Sequence, residues 1–174
     1  DKWGADPDEI WLKGKPFNQQ RSLFISIDND EFIKFFERAQ KNIEDKEYVF
    51  AFTQLKKAYS EFENSNKSIS IISKEELLLL TANIALIINE LDDAKEYFEE
   101  TLKLNPTSSE ACFGLGQVFY QEEMFEQSKT MLEWAIKNDP QNQKAAEGLK
   151  AVNEILSLPS EHNSLIVDEL VTTN

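Results

Sequence analysis

Apolar residues recur along most of this chain at the three-to-four-residue spacing of a helix, in runs broken by short polar stretches. Taken in order, they predict helices over 29–43, 46–62, 74–88, 91–103, 109–121, 124–137 and 142–157. Local start signals agree. Asp28 and Glu31 place an acid at a helix N-cap and another three residues on. Ser73 to Glu76 and Thr107 to Glu110 have the spacing of a capping box. The stretch 74–88 is apolar nearly all round (Leu77, Leu78, Leu79, Leu80, Ile84, Leu86, Ile87, Ile88), as expected of a helix buried on most sides. Residues 142–157 are amphipathic instead, and Leu158-Pro159 ends them. Residues 1–28 lack helical period, yet hold Trp3, Trp11, Phe17, Leu23, Phe24, Ile25 and Ile27 among Gly4, Pro7, Gly14 and Pro16. Disordered segments are poor in aromatics, so part of this arm is expected to pack on something.

The pattern also repeats at long range. Ala82 and Gly116, Ala94 and Ser128, Phe98 and Leu132, Thr101 and Ala135, Leu102 and Ile136, and Pro106 and Pro140 all stand 34 residues apart. A fixed period of this size marks a repeat architecture. Ala82 and Gly116 fall mid-helix, where a neighbouring helix must come close, and Ala94 and Ser128 do the same on the second helix of each unit. Phe98 and Leu132 fill the space between the pair. Each proline closes its unit, because proline cannot continue a helix interior.

Together these residues resemble the tetratricopeptide repeat (TPR) family. Cys112, Leu115, Gly116, Phe119, Ser128, Leu132, Ala135 and Pro140 occupy the family's signature positions in a repeat over 109–142. Leu78, Thr81, Ala82, Ala85, Ala94, Phe98, Thr101 and Pro106 occupy them in a repeat over 75–108, with Thr81 and Thr101 as departures. A degenerate first repeat spans about 32–65: Ala51, Leu55 and Ala58 fit, while Arg38 and Asn42 stand where Leu and Tyr are usual. Asn64 to Ser73 interrupts the array as a longer loop. The resemblance implies an all-α, right-handed α-solenoid of three TPR-like helical hairpins plus a C-terminal capping helix, 142–157. The TPR domain is expected over 29–158, after an irregular aromatic arm (1–28) and before a frayed tail (159–174).

TPR arrays bind peptides in a concave groove lined by the first helix of each hairpin. Carried over residue by residue, that lining includes Phe36, Gln40, Leu79, Asn83, Leu86, Ile87, Phe113, Gln117 and Tyr120. It is apolar and aromatic, with one amide per repeat. The clamp by which TPR co-chaperones grip the C-terminal carboxylate of Hsp70 or Hsp90 maps to Phe36, Gln40, Leu80, Glu110 and Gly114, and none matches. Binding of such C-termini is therefore not expected.

Charge and composition narrow the picture. The formal net charge of −14 on 174 residues makes nucleic acid and anionic membrane surfaces poor partners. No run of about 18 apolar residues is present for a membrane span, and the expected location is soluble and cytoplasmic. One cysteine excludes an internal disulfide framework. Cys112 reads as a buried structural thiol, and the lone histidine, His162, leaves no catalytic or metal constellation. No catalytic residue, cofactor or metal site is expected. The reading is a protein-interaction module, a scaffold, adaptor or chaperone-like protein whose groove takes an apolar segment of a partner. Self-association, or occupancy by the chain's own arm, stays open. The alternatives are a bacterial secretion chaperone of TPR type and, since the chain begins at Asp1, a non-catalytic part of a larger enzyme or assembly.

Overall fold

The structure, a computed structural model, describes residues 30–64 and 72–158. The arm 1–28 with its Asp28 cap, the serines of the 64–73 insert, His162 and the tail 159–174 fall on or beside the remaining residues, and the predictions made for them lie outside the described part. Seven helices follow one another: α1 (Asp30–Glu44), α2 (Tyr48–Asn64), α3 (Lys74–Ile87), α4 (Leu91–Leu104), α5 (Ser109–Gln121), α6 (Phe125–Asn138) and α7 (Gln143–Leu156). No strand occurs among the described residues. Each helix starts and stops within two residues of its predicted span. The Ser73–Glu76 capping box forms, with the Glu76 N–H donating to Ser73 Oγ (3.1 Å) and the Ser73 N–H to the Glu76 carboxylate (2.9 Å). The predicted Thr107 box does not. Thr107 instead donates its N–H and hydroxyl to Asn105 Oδ1, and Ser108 caps α5, which starts at the predicted Ser109.

The helices pair as hairpins, and the turns are copies of one another. Lys46, Asn89 and Glu123 hold left-handed φ values of 60°, 62° and 61°. In each turn that residue's N–H donates three residues back (to Ile43, Leu86 and Tyr120), and the next N–H donates five back (to Asn42, Ala85 and Phe119). This is the glycine-type helix stop, built here without glycine. Between hairpins, the Asn105 and Asp139 side chains each accept a backbone N–H two residues on, at 3.2 and 2.9 Å. Such Asx turns reverse the chain where the helix must end.

Packing explains the period. Ala39, Ala51, Leu55 and Ala58 in the first hairpin, Ala82, Ala94, Phe98 and Thr101 in the second, and Ser128, Leu132 and Ala135 with Gly116 in the third are all buried. A Cβ at Gly116 would stand 2.8 Å from the Leu132 side chain, so α5 and α6 approach on a glycine. The Ser128 hydroxyl donates to the Gly116 carbonyl at the same crossing (2.7 Å). The two threonines that depart from the family pattern cost little, because each hydroxyl donates to a carbonyl one turn back, Leu77 and Tyr97. The degenerate first hairpin joins the same core: Phe32 and Phe36 stack at 5.4 Å, and Phe32 also meets Phe62. Across the insert, Tyr97 stands edge-on to both Phe52 and Tyr59, and Ile72 returns the chain to the core. Burial, with Asp93 and Glu96 nearby, pushes the Tyr97 phenol up to about 12.

The array ends by changing one face of a repeated helix. One period after Ala111, Gly114 and Val118, α7 has Ala145, Gly148 and Val152, all buried against the preceding hairpin. One period after Gly116 and Phe119 it has Lys150 and Asn153, both exposed. α7 thus keeps the face α5 turns backwards and makes polar the face α5 turns to its own partner. Terminal units of a solenoid need such a polar outer face.

Two substitutions test this geometry with opposite signs. The Phe98 ring occupies the place a Cβ would take at Gly114. Gly114→Ala is therefore expected to destabilise by about 1–3 kcal/mol, although helix propensity alone favours alanine by about 1 kcal/mol. Glu123→Gly relieves a left-handed side-chain residue and is expected to stabilise by about 1 kcal/mol. Urea unfolding followed by circular dichroism measures both, and a stabilising Gly114→Ala would contradict the packing described.

Candidate binding groove

The nine residues assigned to the groove sit on α1, α3 and α5, the first helices of the three hairpins. α3 touches α5, and α5 touches α7, so these three form one layer, while α1 packs on α2, which in turn packs on α3. Phe36, Leu79, Leu86 and Gln117 are buried, at 1, 8, 3 and 3% exposure. Gln40, Asn83, Ile87, Phe113 and Tyr120 are half-buried. The amides Gln40, Asn83 and Gln117 keep equivalent places on their helices, although the insert spaces the first pair more widely. Tyr120 packs edge-on against Phe125 (5.7 Å), and burial raises its phenol. Phe113 and Tyr120 rest on the C-terminal core cluster, Ile87 on the larger one.

Acids gather at the N-terminal ends of α3 and α5. Glu75 and Glu76 lie in the first turn of α3 and Glu110 in that of α5. Glu76, placed in the groove by the repeat register, forms the cap of its own helix. Glu75 accepts a hydrogen bond from the Asn105 amide (2.8 Å). Glu110 is exposed, but the protein around it raises its carboxyl, with the Glu75 charge as a second cause. Its exposure keeps the effect small. The effect of Glu75 on Glu110 escapes the sequence pattern, because the period pairs Glu110 with Glu76, which caps its own helix instead.

The remaining chemistry is sparse. Cys112 is buried, burial pushes its thiol up, and the Asn138 amide lies 3.9 Å from its sulfur. Among the described residues, no three His, Cys, Asp or Glu side chains are grouped to hold a metal ion. No described helix is long and apolar enough to cross a membrane. Of the positions aligned with a carboxylate clamp, Phe36 and Leu80 are buried, Gly114 faces the Phe98 ring, Gln40 is half-buried and Glu110 is acidic.

Stacked helical hairpins with copied turns define an α-solenoid of the kind used for protein–protein interaction. The family model described as "Tetratricopeptide repeat" matches residues 89–152. No curated protein matches the sequence. Among solved structures, the first TPR of Spaghetti (RPAP3), bound to the HSP90 peptide SRMEEVD, is similar at a TM-score of 0.62 and 16% identity, over 78% of this chain and 100% of that one. The Sgt2 TPR domain from Aspergillus fumigatus gives 0.59 and 18%, over 73% and 80%. The second TPR domain of human RPAP3, in complex with the HSP70 peptide SGPTIEEVD, gives 0.59 and 15%, over 71% and 95%. Residues 89–152 thus carry the tetratricopeptide-repeat pattern, and the described helices share the fold of these TPR domains.

The acid pair gives a pH test. A carboxyl raised in the folded state makes folding favour the protonated form. Its penalty is therefore absent below the ordinary carboxylate range and appears as pH rises through it. Glu110→Gln is expected to stabilise the fold modestly at neutral pH, and the gain should vanish as pH falls through that range. Unfolding midpoints of the two proteins against pH provide the check; a gain that persists in acid would rule out this cause.

Proposed function

We propose that the chain is a non-catalytic interaction module, with 29–158 as its binding domain, that receives an apolar polypeptide segment along α1, α3 and α5. The observation that carries this is the run of half-buried side chains, Gln40, Asn83, Ile87, Phe113 and Tyr120, on the first helices of successive hairpins. The apolar members accept side chains. The amides at equivalent heights bond the backbone of an extended segment, and the buried Phe36, Leu79, Leu86 and Gln117 give the surface a rigid floor. An interface of about 800 Å² per partner is the ordinary size for specific recognition. The acidic C-terminal peptides held by the two RPAP3 structures are not the ligands of this groove. Glu110 and Gly114 replace the cations such a carboxylate needs, and Glu75 and Glu110 repel it.

Ile87→Ser combined with Phe113→Ala is expected to weaken retention of the partners captured by the parent chain about tenfold or more, equivalent to about 1.4 kcal/mol. Helical content by circular dichroism should be unchanged. The peptide SRMEEVD should show no saturable binding in calorimetry. Identical capture by parent and variant, or tight carboxylate-dependent binding of that peptide, would refute the reading.

A further inference from the structure

The second helices of the first two hairpins carry opposite chemistry on the same outward face. α2 and α4 lie side by side: Tyr97 stands edge-on to Phe52 and Tyr59, and Lys56 Nζ is 3.8 Å from the Asp93 carboxylate. Their buried residues correspond one for one, Ala51 with Ala94, Leu55 with Phe98 and Ala58 with Thr101. Their exposed residues correspond in place but not in charge. Val49, Thr53 and Lys56 on α2 match Asp92, Glu96 and Glu99 on α4. From Tyr48 to Ser60, α2 has no acid, in a chain with 32 of them. Val49 and Phe50 are 63% and 62% exposed, more than any other large hydrophobic residue described. The lysines on this face are ordered by aromatic rings. Lys56 Nζ sits 4.7 Å from the Phe52 ring centroid and Lys57 Nζ 5.6 Å from that of Phe35. A cation already ordered loses less entropy on meeting a carboxylate. The exposed Lys56–Asp93 pair is weak and does not bar such a contact.

A surface that sets basic and acidic stripes side by side is complementary to itself. A two-fold axis running along the helices, between α2 and α4, lays α2 of each copy on α4 of the other. Every contact then occurs twice, as an isologous interface requires. With a net charge of −14 on each copy, most encounters between copies are repulsive. The acid-free stripe of α2 is where a second acidic surface is accommodated. The patch is about 20 Å along the helices and about 20 Å across, from the rise per residue and the helix spacing. That is the small end of specific interfaces, so the association is weak and concentration-dependent.

We propose that the chain forms a two-fold dimer through the outward faces of α2 and α4. Lys56 and Lys57 of each copy lie on Glu96 and Glu99 of the other, and Val49 and Phe50 pack at the start of the other copy's α4. The groove residues are on α1, α3 and α5, so both grooves stay uncovered. A partner with two binding segments is then held by both copies and gains affinity without any new contact.

Sedimentation equilibrium of the intact chain tests this, over concentrations from about 1 to 100 µM suited to a weak interface. The parent should pass from monomer to dimer and form nothing larger. Lys56→Glu with Lys57→Glu should weaken the dimer more than about tenfold, and so, separately, should Glu96→Lys with Glu99→Lys. Helical content by circular dichroism should be unchanged in both. An equimolar mixture of the two variants should recover the parent's association, because each contact in the mixed dimer again joins opposite charges. Ile87→Ser with Phe113→Ala should leave the dimer intact. A parent that stays monomeric at the highest concentration, or a mixture that associates no better than its components, would overturn the proposal. So would species that grow beyond two copies, or a dimer lost with the groove substitutions.

Discussion

The fold depends on close approach within each helical hairpin. Each hairpin buries a small residue on both of its helices, Ala39 and Ala51, Ala82 and Ala94, Gly116 and Ser128, together with one large side chain, Leu55, Phe98 or Leu132. Small residues let the backbones meet; the large one fixes the spacing between hairpins. Phe98 does both, closing its own hairpin while its ring lies on Gly114 of the next. Because interiors pack at crystal-like density, this arrangement fixes the angle between units and hence the layer formed by α3, α5 and α7.

The turns impose the other constraint. Each hairpin stops its first helix with a left-handed residue, and none of the three is glycine. Asn89 tolerates that conformation; Lys46 and Glu123 pay for it in strain. What they gain is a fixed entry into the second helix, held by the same pair of backbone hydrogen bonds each time. Repeated geometry therefore rests on repeated backbone bonding even where side chains differ. This is how the first hairpin keeps the fold with Arg38 and Asn42 at positions where the family prefers apolar residues.

Binding and termination follow from how individual faces are spent. α3 buries nine residues and leaves Asn83 and Ile87 half-exposed. α7 reuses the inward face of α5 but puts Lys150 and Asn153 outward, which stops the stacking. Glu75 and Glu76 at the start of α3 favour their own helix, since negative charge there meets the positive end of the helix dipole.

Much of this was legible in the order of residues. The 34-residue period, the helix spans and the small–large–small positions all follow from local propensity and burial, and both are written into residue type and spacing. Three things were decided only by tertiary structure. Ser108 rather than Thr107 caps α5, because Thr107 is drawn into the Asn105 turn. Phe36, Leu79, Leu86 and Gln117 are buried although their register places them in the groove, because burial depends on which neighbouring helices cover a position as well as on its place in the repeat. The Glu75 charge, not that of Glu76, adds to the raising of the Glu110 carboxyl, while the capping box holds Glu76. A sequence specifies which faces its helices have; only the assembled chain specifies how far each face is covered.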